Sequence, residues 1–154
     1  MLEDRFDQIY QNWKRNGTPF ALALIDLDGF KKVNDQHGHD VGDEVLKAVA
    51  SRFTGVLRST DTITRYGGDE FIALFVNVSN TDEGKQIGQK MLVAAARPIE
   101  TTAGTMRINC SIGISICPIH GQSLDTLRNM ADQAMYHSKQ RGGNEVSAFA
   151  PFDS

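Results

Sequence analysis

The sequence predicts an α+β sandwich, a mixed and largely antiparallel sheet with helices packed on it, and three observations lead there. Phe20-Ala21-Leu22-Ala23-Leu24-Ile25 is apolar without alternation, the pattern of a central strand covered on both faces. Segments 62–66 and 71–76 flank Gly67-Gly68 like the two arms of a hairpin. Stretches of helical period lie before, between and after these strands. Strand order does not follow from this pattern.

Taken in order, Leu2, Phe6, Ile9, Tyr10 and Trp13 recur at helical spacing, which predicts an amphipathic helix ending near Asn16-Gly17, with Pro19 beyond. The apolar strand follows and runs into Asp26-Leu27-Asp28. Gly29 to Val33 forms a short helix, and a longer one from about Val41 to Leu57 carries Val45, Leu46, Val49 and Phe53 on one face. The hairpin comes next, with Gly67-Gly68 expected to supply the positive φ of a tight turn. A helix over 81–96 stops before Pro98. Ile108, Cys110, Ile112, Ile114 and Ile116 alternate with Asn109, Ser111, Gly113 and Ser115, the period of a strand with one face more deeply buried. Ser123 caps a helix that reaches Gln140, Gly142-Gly143 closes it, and a last strand runs from about Glu145 to Phe149.

Composition narrows the function. A chain of 154 residues, 40% hydrophobic and 23% charged, suits one folded domain over 1–154. A formal net charge of -3 argues against coating a nucleic acid polymer. The apolar runs are too short to span a bilayer, so the expectation is no membrane contact and a cytoplasmic location. Cys110 and Cys117 share one predicted strand at opposite parity, so they face opposite ways and do not pair.

Asp26 ends a buried strand, and Asp69 and Glu70 sit at the hairpin turn. If those strands are neighbours, three carboxylates meet at one sheet edge, and a hard divalent cation relieves their repulsion. A polar hairpin tip explains Asp69-Glu70 equally well on spacing alone.

Arg65-Tyr66-Gly67-Gly68-Asp69-Glu70-Phe71 resembles the signature of the GGDEF domains, the diguanylate cyclases. Four more segments agree in order and spacing: Asp26 to Asp35, Gly38 to Asp43, Ser111 to Ile114, and Ala131 to Tyr136. The resemblance implies the GGDEF fold, akin to nucleotidyl cyclases and ferredoxin-like proteins, and condensation of two GTP into cyclic di-GMP and pyrophosphate by two protomers facing each other as a homodimer. It implies Mg²⁺ or Mn²⁺ on Asp26, Asp69 and the carbonyl of Leu27, with Glu70 as a further ligand or as an aid to deprotonation. Asn34 and Asp43 match the guanine-binding pair. Backbone N–H groups of Gly29, Phe30 and Lys31 match a phosphate cradle at a helix start, and Lys31 and Lys139 add positive charge. Arg58 and Asp61 match an inhibitory product site, with Asp61 accepting from a guanine edge.

Two departures stand out. The family commonly has Gly-Arg-Asn where this chain has Gly142-Gly143-Asn144, which leaves Arg141 to stand in for that arginine on the phosphates. The family's usual opening stretch is absent, so the chain resembles a domain excised from a longer multidomain protein. The rival reading is a GTP-binding regulatory module, catalytically weak, that controls an attached phosphodiesterase or other domain. His37 and His39 flank Gly38, but no further His or Cys stands at zinc-ligand spacing.

Overall fold

The computed structural model describes residues 2–149. Helix α1 (Leu2–Asn16) leads into β1 (Phe20–Asp28), followed by α2 (Phe30–His37) and α3 (His39–Val56). Strands β2 (Thr62–Gly67) and β3 (Glu70–Val76) form the expected hairpin, and α4 (Thr81–Ala95) follows. Then come β4 (Ile99–Thr101), β5 (Gly104–Met106), β6 (Asn109–Cys117), α5 (Leu124–Gln140) and β7 (Glu145–Ala148). The main sheet runs β2-β3-β1-β6-β7, antiparallel except for the β6–β7 pair, while β4 and β5 form a separate small hairpin.

Parity along β1 assigns its two faces. Ala21, Ala23, Ile25 and Leu27 pack with Phe30 of α2, Val45, Val49 and Phe53 of α3, and Met91 and Leu92 of α4. Phe20, Leu22 and Leu24 pack on the other side with Leu2, Phe6 and Ile9 of α1 and Leu127, Ala131 and Met135 of α5. A strand clad by helices on both faces needs apolar residues at every position, and 20–25 supplies them. Each fully buried large side chain here contributes roughly 1.5–3 kcal/mol. Cys110 and Cys117 fall in different clusters, on opposite faces of β6.

Four sequence expectations change. Gly67 and Gly68 do not adopt positive φ; the turn is reached through a register shift between Arg65 and Gly67, and side chains at both glycines would meet open space. The polar face of β6 is as buried as its isoleucine face: Ser111 and Ser115 are fully buried. The small residues there let α5 approach, since a Cβ on Gly113 would stand 2.0 Å from the Ala131 carbonyl oxygen and 2.3 Å from the Met135 nitrogen. Ser115 Oγ donates to the Leu127 carbonyl at 2.7 Å, closing the same seam. Helix α2 runs four residues past Val33, and α3 starts at His39, because Gly38 at φ 89 breaks the chain direction between them. The β4–β5 hairpin had no period to announce it, its strands being three residues each.

Candidate active site

Asp26 lies near the end of the central strand β1, opposite Glu70 on β3 and Ser111 on β6. The strand continues to Asp28, so Asp26 is not its end, and it is one of few buried polar side chains, 7% exposed. Its Oδ2 accepts from Lys139 Nζ of α5, a contact that spans most of the chain. Its Oδ1 is buried with no hydrogen-bond partner. Burial above all pushes the Asp26 carboxyl up to about 6; the Lys139 bond works against that, and the nearby Asp69 charge adds to it. Burial of Lys139 acts to lower its own pKa, but the Asp26 bond and the charges of Asp26, Asp28 and Asp69 prevail and raise it.

The turn is tied to β1 by the Leu27 N–H, which donates to the Asp69 carbonyl at 3.1 Å. Along an extended strand the N–H and C=O of one residue point the same way, so the Leu27 carbonyl also opens toward the turn. The expected trio of carboxylates is therefore met in backbone register. In the side chains it is only partly met: Asp26 and Asp69 interact, but among the described residues no three His, Cys, Asp or Glu side chains gather closely enough to hold a metal ion. The donor chemistry still fits a hard cation. A buried carboxylate oxygen without a partner, a second carboxylate and a strand carbonyl are oxygen donors of the kind magnesium takes, with phosphate and water completing its shell.

Neighbouring Asp28 has a different task. It accepts from Ser111 Oγ at 2.8 Å and from the Asn144 N–H at 2.9 Å. Gly143 lies against it at φ 76, where a Cβ would come within 2.7 Å of Asp28 Oδ2. A side chain at 143 would be strained twice over. Arg141 is exposed, its Nε 3.4 Å from Glu145 Oε1 on β7.

On the opposite face, α2 and α3 bring Asn34 against Gly42, the residue before Asp43. A Cβ on Gly42 would stand 1.9 Å from Asn34 Oδ1, an oxygen that is itself buried without a partner. The Gly38 N–H donates to the Asn34 carbonyl at 2.8 Å, which fixes the two helices end to end. Asp43 is exposed on α3. Gly29, at φ 75, caps the start of α2, and no side chain caps the first turn; Phe30 is buried beneath it while Lys31 is exposed.

Arg58 and Asp61 are brought together, though not as two open hands. Asp61 Oδ2 accepts from the Arg58 N–H and Nε, both at 3.0 Å, and Oδ1 accepts from Arg58 Nη2 at 3.0 Å and the Val76 N–H at 3.1 Å. The Asp61 side chain is 1% exposed, and without ligand its carboxylate already accepts these four bonds. The Arg58 guanidinium stays half exposed.

Sequence reasoning passed over two arginines near the turn. Arg65 Nε and Nη2 donate to the Gly68 carbonyl at 3.2 and 2.9 Å, and Nε also reaches the Gly67 carbonyl at 3.3 Å. Arg128 of α5 donates to the Tyr66 hydroxyl. Nothing in local period marks either contact.

Comparisons with known proteins agree with this fold. The family model described as "Diguanylate cyclase, GGDEF domain" matches residues 1–145. MucR of Pseudomonas aeruginosa, a bifunctional diguanylate cyclase/cyclic di-GMP phosphodiesterase, is 40% identical over 149 residues, 97% of this chain and 22% of MucR. The chain thus spans less than a quarter of that relative. The crystal structure of the GGDEF domain of YfiN from Pseudomonas aeruginosa superposes with a TM-score of 0.92 at 31% identity, covering 97% of this chain and 93% of that one. The GGDEF domain of DgcB from Caulobacter crescentus, solved in complex with c-di-GMP, gives a TM-score of 0.85 at 29% identity, with 96% and 87% covered.

Proposed function

This chain belongs to the GGDEF domain family, and on that premise we propose that it condenses two GTP into cyclic di-GMP and pyrophosphate. The observation that carries the reading is Asp26: a buried carboxylate with one orphaned oxygen, beside Asp69, near the end of the central strand. Such a group is costly to a fold and makes sense where a ligand completes it.

Asp26, Asp69, Glu70 and the Leu27 carbonyl are the residues that would hold Mg²⁺ or Mn²⁺, which when bound supplies positive charge to the phosphate oxygens and acidifies the attacking hydroxyl. The chain's own residues do the rest. Asn34 and Asp43 hold guanine: Asp43 accepts from its N1–H and N2–H₂, whereas adenine would turn a lone pair toward the carboxylate. The open first turn of α2, at Gly29, Phe30 and Lys31, offers backbone N–H groups to phosphate oxygens. Lys139 shields Asp26 until substrate arrives and then offers its ammonium to the phosphates. Glu70, at the start of β3, is a further metal ligand or aids deprotonation of the 3′-hydroxyl. Bare backbone at Gly67 and Gly68 leaves room for the phosphate chain over the turn.

The product has twofold symmetry and each protomer binds one GTP, so the competent form is a homodimer. Product arrest acts through the exposed face of Arg58, with Asp61 holding that guanidinium in place.

A second reading has its own support. Gly143 stands where the family commonly carries arginine; at φ 76 a side chain there would be strained, and the Asp28 carboxylate would have to shift. Weaker hold on the phosphates at this position favours a GTP-binding regulatory module of a longer protein, and MucR carries both a cyclase and a phosphodiesterase name.

The test is incubation of the purified domain with GTP and Mg²⁺ or Mn²⁺, with Asp69→Ala in parallel. Cyclic di-GMP forms with the parent, and the substitution lowers the rate by at least on the order of 10²–10³, the usual cost of one preorganised charge-stabilising group. GTP bound but unchanged by the parent selects the regulatory module; product from Asp69→Ala at the parent rate refutes the metal assignment.

A further inference from the structure

The turn that carries Asp69 and Glu70 sits at the end of an edge strand, and residues 65–68 are exposed. On one side the Leu27 N–H holds it to β1. On the other side its tie to the body is Tyr66. The Arg128 guanidinium carbon lies 5.3 Å from the Tyr66 ring centroid, and Nη1 donates to the Tyr66 hydroxyl, so a cation rests on the ring while bonding its rim. Tyr66 is 47% exposed, yet the hydrophobic effect does not place it, since its partner is a charge. Asp125, one turn earlier on α5, lies 3.9 Å from Arg128 Nη2.

Arg128 reaches out from a rigid base. Helix α5 is pressed onto β6 at Gly113, where no side chain fits, and is fastened there by the Ser115–Leu127 bond beside Arg128 itself. The same helix carries Lys139, which binds Asp26. Through Tyr66, α5 therefore holds the turn at one end of its length and the Asp26 carboxylate at the other. Arg65 completes the arrangement by tying the carbonyls of Gly67 and Gly68 to the strand that Tyr66 anchors.

We propose that Arg128 is a positioning residue for cyclic di-GMP synthesis: by clasping Tyr66 it sets the turn that bears Asp69 and Glu70 in a common frame with Asp26 and Lys139. The inference rests on the cyclase reading above. On this reading Arg128 acts through Tyr66 and not on the nucleotide, so its removal acts on the rate of the bound complex. Small displacements of reacting groups can cost up to roughly 10²-fold; for a turn still held by Leu27 the expected drop in kcat is about tenfold, with KM for GTP moving by no more than about twofold.

The experiment compares Arg128→Ala, Arg128→Lys, Tyr66→Ala and the double Arg128→Ala/Tyr66→Ala in steady-state synthesis with saturating Mg²⁺, alongside amide hydrogen exchange of residues 66–70. Arg128→Ala lowers kcat, Arg128→Lys restores part of it because an ammonium still rests on the ring, and the double variant is no slower than the worse single one. Exchange in 66–70 quickens in Arg128→Ala. An unchanged kcat in Arg128→Ala, or rate effects that multiply in the double variant, overturns the proposal. If the parent makes no product, the cyclase reading fails first and the positioning role falls with it, while faster exchange in Arg128→Ala still reports the clasp by itself.

Discussion

Asp26→Asn should stabilise the metal-free domain while ending its catalysis. In the fold the Asp26 carboxyl titrates near 6 against an ordinary value of 3.8, chiefly because it is buried. At about 1.4 kcal/mol per unit, its ionisation costs the folded state about 3 kcal/mol at neutral pH. Asparagine has the same shape, still accepts from Lys139 and carries no charge. Some of the gain is offset because Lys139 then faces less negative charge, so the expected stabilisation is about 1–3 kcal/mol. For a domain of this size that is roughly 3–10 °C in Tm. The sign follows from proton uptake. Between about pH 4 and 6 the folded parent holds a proton at Asp26 that the unfolded chain has released, so the favourable contribution is full below pH 4 and is lost as pH rises through about 6. The variant has no such loss. Thermal unfolding of both proteins with a chelator, from pH 4 to 8, should show Tm values that coincide near pH 4 and separate up to pH 7, the variant being higher. Added Mg²⁺ with GTP should then raise the parent alone, by mass action on the folded state. Equal Tm values at pH 8, or a variant less stable across the range, would refute the view that Asp26 is a strained, ligand-awaiting carboxylate.

Asp43→Ala should weaken GTP binding and erode its margin over ATP, a margin that hydrogen-bonded sites can raise to roughly 10⁴–10⁵; calorimetry with both nucleotides measures it, and an unaltered ratio removes Asp43 as the guanine reader. Arg58→Ala should relieve arrest by added cyclic di-GMP in progress curves. It should also cost about 1–3 kcal/mol in denaturant unfolding, because Asp61 would be left buried with two donors gone; equal inhibition of both proteins rules out the product site. Gly113→Ala should destabilise the domain by roughly 1–3 kcal/mol or more, since its methyl would meet α5 backbone that no rotamer change can move. A midpoint matching the parent would show that α5 is not seated as described.

Much of the molecule was legible in the sequence because its signals are local. The unbroken apolar run of β1 required cover on both faces, and it has it. The hairpin arms at 62–67 and 70–76, the Pro98 stop and the Ser123 cap, whose Oγ accepts from the Thr126 N–H, all follow from neighbours within a few residues. Asp26 and Asp69-Glu70 could be singled out as charged groups where apolar ones were due. Their likeness to the GGDEF signature supplied roles that spacing alone left open.

Tertiary structure decided the rest, through contacts whose partners lie far apart along the chain. Ser111, Gly113 and Ser115 look like the less buried strand face until α5 comes down on it, and only packing shows that Gly113 must be small and that the two buried hydroxyls find partners in Asp28 and the Leu127 carbonyl. Gly67 and Gly68 read as turn formers by positive φ, whereas the fold reaches the turn through a register shift between Arg65 and Gly67. Arg58 and Asp61 read as a ligand site, and their carboxylate proves to be filled from within, by Arg58 and the Val76 N–H. Lys139 on Asp26 and Arg128 on Tyr66 cross 113 and 62 residues of sequence. Period and propensity report what a residue asks of its own segment; which distant side chain answers is set by how helices seat on the sheet, and that exists only once the chain has folded.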